Sequence, residues 1–289
     1  MNWPGMILIF LKVSIVLNVL ALGLEATFSD ATCLFRRPRE LSRAFLSMNV
    51  AMPLIALGLA EAFDLKPAVK IALVALSVSP IPPMLPKRLF MAGARHDFTV
   101  GLLAGAAVLA IAVIPLTIWI ISRIASIPLR MSVGAVAVVV LQTVLAPLLA
   151  GITVRTLAPA LAQRIARPLG AAAFVLLIVC VVPVLFGSIR AIVSLIGDGT
   201  LLSLTGFALV GYFVGQFFGG PDPESRRVLA ISTASRHPGM AVAIARTNFP
   251  EERLAVAAVA LYLIIAVIVS TLLSKQRSSK LVAKSATVP

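Results

Sequence analysis

Charge is what this 289-residue sequence has least of: Asp, Glu, Lys and Arg make up 12% of it, against 60% apolar residues. A soluble domain carries about 25% charged and roughly 45 to 50% apolar residues. The chain therefore has half the charge needed to clothe a globule in water, and a soluble fold is excluded. Its mean hydropathy is +1.05, and at about 20 residues per crossing the apolar content suffices for roughly eight to ten membrane spans. That leaves no room for a sizeable extramembrane domain. Cysteine is scarce too: Cys33 and Cys180 stand apart, without the spacing of a metal site or a disulfide framework, and read as small apolar fillers. All eleven Asp and Glu residues lie in connections or at the ends of apolar runs. With one histidine, His237, inside those runs and His96 in a connection, an acid–base or metal-based active site lacks its material, and an enzyme is not expected.

What is present is a series of nine apolar segments, at about 6–24, 42–63, 67–94, 98–122, 132–154, 168–188, 200–219, 224–248 and 253–273. The first has no basic leader, carries Lys12 within the run and lacks a clear cleavage site, so it reads as a membrane helix rather than a signal peptide. The net charge of +14, from 25 Lys and Arg, reflects topology. The odd-numbered connections and the C-terminal tail hold fourteen basic residues, among them Arg36, Arg37, Arg39, Arg43, Arg164 and Arg167, while the alternate side holds seven. Lys and Arg collect in cytoplasmic loops, which sets the N-terminus outside and the C-terminus in the cytoplasm, the expected membrane being a bacterial inner (plasma) membrane. Residues 155–168 read as a short amphipathic surface linker, and 274–289, rich in Ser and Lys, as a disordered cytoplasmic tail.

Four cations fall inside the apolar segments, away from their first and last four residues: Lys12, Lys87, Arg88 and Arg236. Lys12 is close enough to the outer end of its helix to extend its ammonium into water. The others accompany two breaks. The third segment reads Ser77-Val-Ser79-Pro80-Ile-Pro82-Pro83-Met-Leu-Pro86-Lys87-Arg88, and no continuous helix survives four such rings, each of which removes an amide donor and clashes with the preceding turn. The eighth reads Ser232-Thr233-Ala-Ser235-Arg236-His237-Pro238-Gly239. Irregular backbone at membrane depth is tolerated only where protein encloses it or a wet cavity runs beside it. A pair of interrupted segments in corresponding halves points to a transporter's binding site, where half-helix ends present free amides and carbonyls. An Arg at the centre of a span costs about 2.5 to 3.5 kcal/mol on insertion scales, so Arg236 demands a partner. Pro53, Pro115, Pro147 and Pro183 read as kinks, and Gly211, Gly215 and Gly219 of the seventh segment as a face for close helix approach.

The run from Arg226-Arg227 through Ser232, Arg236-His237-Pro238-Gly239 to Ala245 resembles the signature of the bile acid:sodium symporter family, in which a basic pair leads into a Glu-x-Gly-x-Gln-Asn core and a small-residue helix. Ser79-Pro80 onward resembles that family's Cys-Pro-Gly-Gly-x-x-Ser-Asn break, and Gly23-Leu24 with Arg37-Pro38 fits its early helices. The resemblance implies an all-α polytopic fold of about nine transmembrane helices. These would form two inverted repeats, about 6–122 and 132–273, split into panel and core domains, with the two broken helices crossing in the core. It also implies uptake of organic anions with sodium.

The family's sodium ligands depart here one by one. Its Glu falls on Ser232, its Gln on Arg236 and its Asn on His237. Its Ser-Asn pair falls on Leu85 and Pro86, and its Gln before a proline on Met48, beside Asn49. Its Ser and Thr one turn apart fall on Gly101 and Gly105, or in another register on Thr99 and Leu103. Sodium is thus not expected to bind, and Arg236, with Lys87 second, is expected to carry the charge that sodium would have supplied. The function implied is secondary-active or facilitative transport of small organic anions by alternating access. The expected substrate-binding residues are Arg236, His237, Ser232, Thr233, Ser235, Pro238, Ser79, Pro80, Pro82, Pro86, Lys87 and Asn49. No cofactor, resident metal or nucleic acid is expected; the anion and the lipid bilayer are the partners. Sodium- or proton-coupled anion symport stays open as the alternative, with His237 the one proton carrier of the core, as does a non-transporting membrane sensor or binding protein.

Overall fold

The computed structural model describes residues 3–91, 94–125 and 129–285. It is all-helical, 86% helix, with no strand among the described residues. In order the helices are α1 (Trp3–Glu25), α2 (Phe28–Thr32), α3 (Pro38–Phe45), α4 (Met52–Ala62), α5 (Pro67–Val78), α6 (Leu85–Met91), α7 (His96–Ala125), α8 (Val133–Val140), α9 (Ala146–Leu157), α10 (Pro159–Ser194), α11 (Thr200–Phe218), α12 (Pro223–Ala234), α13 (Pro238–Asn248) and α14 (Leu254–Ser285). Among the described residues six stretches are long and apolar enough to cross a membrane: Pro38–Ala62, His96–Ile124, Val133–Leu157, Pro159–Ser194, Thr200–Phe218 and Leu254–Leu273. These coincide with six of the nine apolar segments. The first segment forms α1, after which the chain bends by 107° into Phe28–Arg36. The third and eighth are each two short helices on either side of a non-helical break.

Proline chemistry explains how two of the spans stay continuous. A ring at position i removes the amide that an earlier carbonyl needs and crowds the preceding turn. Before Pro53 and Pro147 the helix widens into π-helical stretches, Leu46–Ala51 and Leu141–Leu145, so that α3 and α8 run on into α4 and α9. Such bulges are one of the few ways in which a helix absorbs an insertion or a proline without ending. Pro115, Pro168 and Pro183 lie inside α7 and α10.

The outer surface is apolar: Phe186 on α10 is 74% exposed and Phe217 on α11 is 83% exposed. Helices that are apolar on the outside need lipid around them. Inside, α1 packs along α9 and α10, α11 packs along α12, and α5 lies among α4, α13 and α14. Gly23 of α1 and Gly151 of α9 let two backbones touch, since a Cβ on either would strike the other helix's main chain. On α11 a Cβ at Gly215 would come within 2.5 Å of Ala230 Cα and 2.6 Å of the Leu229 carbonyl oxygen, while one at Gly206 would meet nothing. The glycine face of the seventh segment is therefore the seat of α12.

Four details differ from the sequence expectations. The stretch 155–168 is no separate linker: α9 reaches Leu157, and α10 starts at Pro159 and continues for 36 residues, because a proline at the first turn of a helix removes no needed bond. Lys12 does not simply reach for water; its Nζ donates to Gln142 Oε1 at 2.7 Å, across from α1 to the second π-helical stretch. His96 is the first residue of α7 rather than part of a loop, stacked on Phe90 with ring centroids 4.5 Å apart. The apolar stretch ends at Leu273 as expected, but the helical backbone runs on to Ser285, while residues 286–289 and the Arg88 side chain lie outside the described residues.

At the entry to α12 the Asp222 carboxylate accepts from the Ser225 hydroxyl at 2.6 Å and from its amide at 2.9 Å. These bonds hold the Asp222 carboxyl below the usual carboxylate range. A carboxyl depressed in the folded state contributes stability that is present above about pH 4 and lost as pH falls through its folded value. Asp222→Ala is expected to remove about 1 kcal/mol at neutral pH, and Asp222→Asn to keep the cap while flattening that acid limb, both read by unfolding in detergent from pH 3 to 7. For the helix seat, Gly215→Val is expected to lower stability by about 1–3 kcal/mol through overpacking. Gly206→Ala should leave it unchanged or raise it, and equal effects at the two sites would refute the close-approach account.

Candidate functional site

The two breaks meet in the interior. Beyond the end of α5 the backbone of Ser79 is extended, and beyond α12 that of Ser235 is extended too. The His237 amide donates to the Pro80 carbonyl at 2.9 Å, a main-chain bond from one break to the other. His237 then caps the start of α13: its Nδ1 accepts from the Met240 amide at 3.3 Å. An imidazole nitrogen that accepts carries no proton, so the tautomer with hydrogen on Nε2 is the one that fits.

Arg236 is the centre of this junction, 2% exposed. Its Nη1 donates to the Ser79 carbonyl at 3.1 Å and its Nη2 to the Met48 carbonyl at 3.0 Å. Neither acceptor has a helical amide to pair with. Ser79 is extended and lies past the end of α5, and in the wide turn around Met48 the matching residue, five ahead, is Pro53, which has no N–H to give. A guanidinium suits this place because its planar fork reaches two acceptors at once and because carbonyl ends of helices favour cations. Hydrogen bonds to charged groups contribute about 1.5–3 kcal/mol each, so the two bonds are of the size needed to offset the roughly 2.5–3.5 kcal/mol that a mid-membrane Arg costs. On the far side the Tyr262 hydroxyl of α14 donates to the Ala234 carbonyl at 2.6 Å, fixing the end of α12.

The remaining expected residues divide. Ser232, Thr233 and Ser235 are buried on the approach to the second break; the Thr233 and Ser47 hydroxyls share a 2.8 Å hydrogen bond, and Pro238 is the first residue of α13. The Ser79 hydroxyl is turned back to the Ala75 carbonyl at 2.6 Å. Pro82 lies in the first break, its carbonyl accepting from the Leu85 amide at 3.0 Å, and Asn49 is half-buried beside Met48. Neither register of the remaining ligand positions brings an oxygen to Arg236. Gly101 packs against the backbone of Asp30 and Leu34, and the Thr99 hydroxyl donates to the Arg95 carbonyl at 2.6 Å.

Lys87 and Pro86 are elsewhere. They line a cavity of about 180 Å³ between the first break, α1 and α10. Asn18 and Glu25 of α1 and Arg167 and Gly170 of α10 complete its polar wall. Lys87 Nζ donates to the Gly170 carbonyl at 2.9 Å and lies 5.1 Å from the centroid of the Phe174 ring. Arg167 belongs to α10 rather than to a connection, and no local sequence pattern marks Asn18 or Gly170; the packing of α10 against α1 brings them to Lys87.

Residues 12–195 match the model of the sodium bile acid symporter family, well over half of the chain. The chain belongs to that family. The match takes in the first six apolar segments and the first break, while the second break carries its likeness on the residues quoted above. The comparison with curated proteins gave no match. Membership of this family makes the chain an integral membrane protein of transporter type. Arg236 lies beyond the matched residues, and two carbonyls accept from its guanidinium.

The junction gives a graded expectation. Tyr262→Phe removes one neutral hydrogen bond and should lower stability by about 1 kcal/mol. Arg236→Ala leaves two buried carbonyls unpaired, at about 1–3 kcal/mol each, and should lower it several-fold more. Thermal unfolding in detergent that ranks Tyr262→Phe at or above Arg236→Ala would contradict this arrangement.

Proposed function

We propose that the protein is a carrier of small organic anions that works by alternating access without sodium. The observation that carries this reading is the Arg236 fork: a permanent cation, bonded to the Ser79 and Met48 carbonyls, stands where the family resemblance calls for a sodium ligand. A hard cation such as sodium needs several oxygens and favours negative charge, and the acidic ligand of the family is Ser232 here. The substrate lies between a core, built around the α5/α6 and α12/α13 breaks, and a panel of α1, α8, α9 and α10. That grouping is supported by the packing of α1 on α9 and α10 and of α5 on α13 and α14. Arg236 sets the positive potential at the junction, and Ser232, Thr233, Ser235, His237 and Pro238 shape it. Ser79, Pro80, Pro82, Pro86, Lys87 and Asn49 belong to the wall on the side of the first break.

Alternating access then consists of core rocking against panel across two inverted repeats, about 6–122 and 132–273. The N-terminus is outside, and a cytoplasmic tail follows residue 273. This orientation is supported by the fourteen-to-seven distribution of basic residues. Protons are not the coupling ion in this reading, since the Nδ1 of His237 is engaged with the Met240 amide.

Uptake of radiolabelled carboxylates and sulfonates into proteoliposomes tests it. The expected rate is the same in sodium and in N-methylglucamine, with no gain from an imposed proton gradient, and Arg236→Gln should lose uptake or become sodium-dependent. Sodium-driven uptake by the wild type would overturn the reading.

A further inference from the structure

The cavity beside Lys87 narrows the class of substrate, and in doing so rests on the anion-carrier reading above. Its volume of about 180 Å³ is only a little more than the 150 Å³ that encloses a benzene molecule, and below the roughly 300–1,000 Å³ of sites for larger ligands. A guest of about seven non-hydrogen atoms fits by that scale, and a sterol does not. The charge of the wall is equally definite: Lys87 and Arg167 face one carboxylate, Glu25, an excess of a single positive charge. Apolar surface from Leu22, Pro83 and Phe90 forms much of the remainder, suited to a short hydrocarbon body rather than to a second anionic group.

The two cations of the core differ in what they can release. Arg236 is buried and serves two carbonyls that have no helical amide, so moving it would strand two acceptors. Lys87 is half-buried, and its partner Gly170 lies inside α10, where the helix itself supplies an amide from residue 174 to that carbonyl. Lys87 holds only the second lone pair, and letting it go leaves nothing unpaired. A carboxylate offers a shorter, charge-assisted bond that is about twice as strong as one to a neutral carbonyl. We propose that this cavity binds a compact monocarboxylate through Lys87 Nζ, which turns from the Gly170 carbonyl to the substrate. Because that carbonyl is on α10 and Lys87 is on α6, the same exchange unties the two sides that must move apart. The loaded carrier is then freer to rock than the empty one, which favours exchange of anions over net flux.

Radiolabelled butyrate, with six non-hydrogen atoms, is the probe for the purified full-length protein, with succinate and cholate as competitors. Butyrate is expected to bind saturably, succinate to compete weakly and cholate not at all. Lys87→Met should weaken butyrate about tenfold or more, the range for one hydrogen bond to a charged group, while Lys87→Arg stays within a few-fold. In the wild type, butyrate should slow reductive methylation of Lys87 mapped by mass spectrometry, a readout that does not depend on any variant folding. In proteoliposomes, butyrate on the far side should accelerate uptake. Cholate competing as well as butyrate, or butyrate binding that neither Lys87→Met nor methylation of Lys87 registers, would overturn the proposal while the carrier reading stands. A wild type that neither binds nor moves any of the three anions would overturn both.

Discussion

The fold turns on one charge: the Arg236 guanidinium that ties the ends of the two broken segments together. Breaking or widening a helix inside a membrane frees carbonyls that lipid cannot satisfy. Ser79 and Met48 present such carbonyls, and Arg236 takes both. The His237 amide on the Pro80 carbonyl and the Tyr262 hydroxyl on the Ala234 carbonyl close the rest of the junction. In a membrane interior without carboxylates, a cation held by carbonyls alone keeps its positive potential rather than cancelling it in an ion pair.

That constraint sets the junction apart from the cavity beside Lys87. The junction is enclosed, and its cation has no freedom to follow a substrate. The cavity by Lys87 lies between α1 and α10, and its cation is held by one hydrogen bond to a carbonyl inside a helix and by the face of Phe174. In the proposed carrier, a fixed charge that stands in for an ion and a movable charge that meets the cargo are different physical devices. Their separation across the first break allows one to remain still while the other responds.

How far the sequence foretold this depends on the range of each interaction. Long apolar runs revealed six continuous spans because composition alone decides whether a helix is at home in lipid. The breaks were legible because four prolines between Pro80 and Pro86, and Pro238-Gly239 after His237, admit no helix. The π-helical stretches before Pro53 and Pro147 were not legible: the same proline can kink, end or widen a helix, and the choice is made by packing. Arginines between Pro159 and Pro168 resembled a surface linker, yet both rings are accommodated in α10, which carries Arg167 to the cavity. The partner of Arg236 on the second span, 188 residues away, and that of Lys87, 83 residues away, follow from the tertiary arrangement and from no local pattern.

The central claim is that the positive charge needed at the junction is covalently part of the chain. Charge displacement on a solid-supported membrane bearing the reconstituted protein tests it most directly, using a jump in sodium concentration with no substrate present. The account predicts no protein-dependent displacement in the wild type; a saturable sodium-evoked displacement abolished by nothing but removal of the protein would contradict it.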